Sequence, residues 1–283
     1  MDSSFTTTAS LSESDSRKAT IAAINATALY VLTYLLVQGL FQLATIGMAT
    51  RMGISSIWHL SRLEFPIADS AWWPSAVIAV YGIGPALSLS IGLAAAFWFW
   101  KRARLQRGLF KLFLFWVMLH GCNLALGALA VDTLTQSGVW YVPSWLFMAG
   151  NAVNVVLALL AALLQICLGY VAAIAFLHSH DSITLMKHSN RRRLLLGTLV
   201  GPWLVGSLVL AALQWPEQTL NEQLRVLSML LLIGPVYIAA TNEAFEATVP
   251  LPGKTRVIKS LLVLLVLALL TWRLGLHSGL HFN

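Results

Sequence analysis

A chain of 283 residues with 58% hydrophobic and 10% charged side chains carries too little polar surface to cover a water-soluble core. A soluble domain has about 25% charged residues, and the mean hydropathy of +0.76 rules out a disordered chain as well. Two cysteines, Cys122 and Cys167, are too few to staple a small secreted domain. The expected class is all-α, a polytopic helical membrane bundle.

The first 16 residues are rich in Ser and Thr, and residues 1–20 are expected to be a disordered cytoplasmic tail. Residues 21–283 are expected to form a single transmembrane domain. A span needs about 20 apolar residues to cross roughly 30 Å of hydrocarbon with every backbone amide paired. Seven runs qualify: 22–50, 74–100, 110–133, 144–177, 194–214, 227–240 and 257–275. The range is six to eight, because 227–240 is short and 144–177 exceeds one bilayer. Arg17 and Lys18 precede the first run, which is longer than the roughly 7–15 apolar residues of a cleavable signal peptide, so an uncleaved signal anchor is expected. The segment 51–73 is the largest loop on its side. Ile57, Leu60 and Leu63 recur in it at helical spacing and predict an interfacial helix.

Lys and Arg resist translocation. Fourteen of the 18 fall in 1–23, 101–111, 178–193 and 241–260; only Arg51, Arg62, Arg225 and Arg273 fall elsewhere. The alternation predicts an N-in, C-out protein of a plasma or inner membrane. It also accounts for the net charge of +7 through topology and anionic headgroups. The lipid bilayer is the expected partner, and nucleic acid is not. Trp72, Trp73, Trp98, Trp100, Trp140, Trp145, Trp215 and Trp272 sit near span ends, where an amphipathic ring prefers to lie.

No His-Glu-x-x-His, Gly-x-Ser-x-Gly, phosphate-cradling loop or Cys-x-x-Cys occurs, so no cofactor and no metal is expected. A Gly84-Pro85 span followed by a polar third span resembles intramembrane metalloprotease relatives. The zinc motif is missing, so no ligand residue carries over.

Polar side chains in hydrocarbon need a partner or a cavity. Gln38 and Gln42, with Thr45, share one face of the first span. They either bond helices together or line a solvated pathway. His120 and Asn123, with Gly127, form a stripe on the third span. This histidine either carries a proton or packs neutral. Asp132, about 18 Å further along the helix, reads as an outer-interface residue. Asn151 and Asn154 of the fourth span are the expected partners of His120 and Asn123 in an antiparallel hairpin. Glu243 and Glu246 form an interfacial acidic pair after the sixth span, either a surface charge cluster or an entry point for a cation or proton. His178, His180, His188 and Asp181 read as a solvated loop. Gly-Pro pairs at Pro85, Pro202 and Pro235 break helices. Those in spans two and five would correspond in an inverted repeat of three spans each.

These observations define a multi-pass membrane protein and leave its activity unassigned. One alternative is a small-solute or proton-coupled transporter, in which Gln38, His120, Asn123 and Asn151 line one cavity. Another is an intramembrane enzyme or degenerate intramembrane-protease-like protein, which needs a second ligand within about 5 Å of His120. A third is a scaffold or sensor that makes contact through an ordered, exposed 51–73 segment; an enzyme is the less favoured reading.

Overall fold

Backbone amides in hydrocarbon are satisfied within a helix, and the described residues take that solution seven times. The computed structural model describes residues 3–147, 151–242 and 256–283. Its membrane-length helices are α1 (Ser16–Arg51), α2 (Pro74–Lys101), α3 (Phe110–Thr135), α4 (Asn151–His178), α5 (His188–Gln214), α6 (Leu220–Thr241) and α7 (Lys259–Leu276). The helix that contains α1 begins at Ser3, so the backbone is helical where composition gives a disordered tail. Extending an existing helix costs far less than nucleating one. Glu243 and Glu246 lie outside the described residues.

Three short strands close one end of the bundle. β1 (Ser56–Trp58) pairs antiparallel with both β2 (Leu63–Glu64) and β3 (Leu280–Phe282). The interfacial helix expected in 51–73 is therefore absent. Its apolar side chains turn inward, burying Ile54, Trp58 and Leu60. Trp58 meets Trp272 edge-on at 5.6 Å, and Trp272 Nε1 donates to the Leu60 carbonyl. The β1–β3 ladder also fixes parity. The residues after α1 and after α7 sit on the same face, so the number of crossings is odd, as seven requires. This face is called the sheet end below, and the opposite face, carrying 102–109 and 179–187, the basic end.

Helix α3 is the centre of the bundle and α7 its edge: 78% of the apolar window of α3 is buried, against 6% for α7. Helix α1 packs on α2, α3, α5 and α7, while α4 packs on α6. Helices α2 and α3 touch at Gly121, where a Cβ would run into the Ser88 carbonyl and the Gly92 backbone. Such small residues let helices approach closely in lipid.

Several helices differ from the sequence reading, α5 among them, which begins at His188 rather than 194. The run 144–177 divides into a short helix, Tyr141–Phe147, and α4. Helix α6 begins at Leu220 rather than 227. The Thr219 hydroxyl accepts from the Glu222 N–H while the Glu222 carboxylate accepts from the Thr219 N–H, a capping box. Arg225 therefore belongs to a membrane helix and not to a loop. Finally, α3 and α5 each contain a π-helical segment, Asn123–Gly127 and Leu196–Val200. Pro85 and Pro235 lie inside α2 and α6, whereas the Gly201-Pro202 pair directly follows the π segment of α5. The breaks in α2 and α5 thus differ in kind.

Candidate solute cavity at the sheet end

The capping box that starts α6 aims its first turns at the last turn of α3. There Asp132, with no exposed surface, accepts Arg225 Nη2 at 2.8 Å, Asn221 Nδ2 at 2.9 Å and the Val139 N–H at 2.8 Å. Arg225 Nε and Nη2 also reach Oδ1, at 3.2 and 2.9 Å. Gly138, at φ +56°, carries the chain over this carboxylate, and any Cβ there would strike Oδ2. Asp132 lies at the end of α3, the interfacial depth expected of it, and is buried there as an anchor. A buried carboxylate is tolerable only when paired and fully hydrogen-bonded, and both conditions hold here.

Beside this anchor lies an open cavity of about 450 Å³. Its walls come from Gln42 and Thr45 of α1, Tyr81 of α2, Tyr141, Ser61 and Arg62, and Asn221, Glu222 and Arg225 of α6. Gln42 lies nine residues inside Arg51, about 14 Å along the helix axis. The cavity therefore reaches well into the bundle. The two wall arginines are already paired, Arg225 with Asp132 and Arg62 with Glu64, while the Glu222 carboxylate accepts the Thr219 N–H. Gln42 has no hydrogen-bond partner among the described residues. One turn deeper, Gln38 is 5% exposed and its Oε1 is buried without a partner. A buried, unmatched acceptor costs about 1–3 kcal/mol unless water or a ligand meets it. On α2, a Cβ at Gly84 would run into Phe41 and Thr45, so the Gly84-Pro85 break abuts the cavity wall.

The other intramembrane candidates do not converge here. His120 Nε2 donates to the Tyr30 carbonyl at 3.1 Å, inside a cage of Tyr30, Tyr34 and Trp116 rings. Asn123 donates to the Arg225 carbonyl and accepts from Gln165 and Ser228. Its partner on α4 is thus Gln165, a residue the sequence reading did not single out. Asn151 is exposed, and Asn154 donates to Ser144 at 2.7 Å, so the expected pairing of these two with His120 and Asn123 is incorrect. Helix α4 meets α3 three to four turns deeper than that pairing requires. Among the described residues no three His, Cys, Asp or Glu side chains are grouped to hold a metal ion.

At the basic end the loop histidines are also dispersed. His180 is buried against Phe176 and hydrogen-bonds Thr198, and burial together with the nearby Lys111 charge lowers its pKa to about 4. Asp181 instead pairs with Lys111 at 2.5 Å and accepts from the Gly108 N–H. Lys111 is 1% exposed, far more buried than an interfacial loop lysine.

Fold and site together define a seven-helix membrane protein with a polar cavity open at one end. No protein family matches the chain, and no curated protein and no solved structure is similar to it.

Proposed function

We propose that this protein binds a small, uncharged or zwitterionic polar solute in the sheet-end cavity and moves it across the membrane. The observation that carries this reading is the convergence of Gln42, Thr45, Tyr81, Tyr141 and Asn221 on an open cavity whose two arginines are already paired. An unpaired arginine would favour an anion. Walls without a free cation, and with open amide, hydroxyl and ring surfaces, favour a neutral or internally compensated solute. The buried acceptor on Gln38 extends the polar stripe of α1 inward, and the break at Pro85 gives the adjoining wall a place to bend. Sequence charge favours a plasma or inner membrane, an N-in signal anchor and a cavity facing outward.

The test is a thermal-unfolding screen of purified full-length protein against sugars, amino acids and other neutral or zwitterionic solutes. The expected result is a stabilising solute whose effect is lost in Gln42→Leu. Accumulation of that solute in proteoliposomes distinguishes transport from sensing. A solute that stabilises Gln42→Leu as well as the wild type contradicts this site.

A further inference from the structure

A second cavity, of about 270 Å³, lies at the basic end between α1, the segment before α3 and the segment before α7. Its lining includes Asn25, Arg107, Leu109, His180, Arg256 and Ile258. Asn25 builds it, donating to the Arg256 carbonyl and accepting from the Ile258 N–H. Separately, an apolar groove of about 670 Å³ runs up the outside of the bundle between α1 and α7.

The two are aligned on all three elements. On α1 the cavity residues Ala22 and Asn25 continue into the groove residues Leu29, Leu32 and Leu36, at spacings of three and four that keep one helix face. Leu109 continues in the same way into Phe113, and Ile258 into Leu261 and Leu264. A polar pocket therefore sits at the foot of an apolar channel.

Charge selects the occupant. Asp181, the acid in the cavity, is already paired with Lys111. Arg107 and Arg256 are exposed and have no ion-pair partner among the described residues. From Leu261 to Gly275 the groove extends about 21 Å by helical rise, enough for an acyl chain in one leaflet of about 15 Å. We propose that this is a specific site for an anionic glycerophospholipid, its phosphate between Arg107 and Arg256 and an acyl chain in the α1–α7 groove. The lipid would supply the packing that α7, the least buried helix, lacks.

The experiment uses delipidated full-length protein in detergent and follows its unfolding midpoint. The titrants are phosphatidylglycerol, phosphatidylcholine with the same chains, glycerol 3-phosphate and inorganic phosphate. Phosphatidylglycerol is expected to act at about ten-fold lower concentration than phosphatidylcholine, from two cationic contacts. The chainless phosphates are expected to have no effect. Arg107→Gln with Arg256→Gln, both at exposed positions, should abolish the headgroup preference. Leu264→Trp should weaken both lipids alike. Equal potency of the two lipids, a preference that survives the arginine double variant, or equal stabilisation by phosphate alone would overturn the proposal. So would a dimer that Leu264→Trp dissociates, because a second copy would then fill the groove.

Discussion

The two ends of α3 each hold a buried ion pair, and they solve the problem differently. At the sheet end Asp132 has no exposed surface and is enclosed by the Arg225 fork, Asn221 and a backbone amide. At the basic end the buried partner is the cation, Lys111, and its counter-ion Asp181 sits in a loop with 17% of its side chain exposed. The Asp132 carboxylate accepts five hydrogen bonds. Asp181 accepts one on each oxygen and keeps a path to water. The more fully bonded pair braces a cavity and the more open one borders the basic-end pocket.

That contrast can be broken from either side. Asp132→Asn leaves Arg225 without its counter-charge and should cost about 3–5 kcal/mol, read as a large fall in the unfolding midpoint of the purified protein. Lys111→Met should cost less, about 1–2 kcal/mol, because Asp181 retains the Gly108 N–H and can hydrate. Adding Asp181→Asn to Lys111→Met should recover part of that loss. In a double-mutant cycle the coupling at the basic end should be the smaller of the two.

A further effect is one of pH. His180 faces Lys111 from α3, Asp181 from its own loop, Phe176 from α4 and Thr198 from α5. Its folded pKa of about 4 lies below the ordinary value of 6.5. The unfolded chain thus binds the proton first, and stability falls as pH drops from 6.5 towards 4. His180→Gln should lose less stability than the wild type over that interval. Equal pH profiles would place the ring in water.

Much of this architecture is written locally. Span positions follow from apolar runs, and even the early start of α6 is legible afterwards in the Thr219–Glu222 spacing of a capping box. What local pattern cannot carry is which polar residues meet. Asp132 and Arg225 are 93 residues apart, and Asn123 finds Gln165 only through the depth at which α3 and α4 pack. The β1–β3 pairing likewise joins segments on either side of the whole bundle, so the helical spacing of Ile57, Leu60 and Leu63 misleads. Of the residues singled out by sequence, Gln42 lines the cavity and Gln38 lies one turn below it, because the face of one helix is a local property. His120 and Asn123 share a stripe but turn to different neighbours.

A solute cavity requires that water reach Gln42 from the sheet end. The direct measurement is thiol labelling in sealed vesicles of known orientation, using Gln42→Cys and Asn123→Cys separately in a Cys122→Ser, Cys167→Ser background. The cavity predicts fast modification of Gln42→Cys by a charged, membrane-impermeant reagent from the sheet-end side only, and protection of Asn123→Cys. Equal, slow labelling of both positions would contradict a solute cavity at this end.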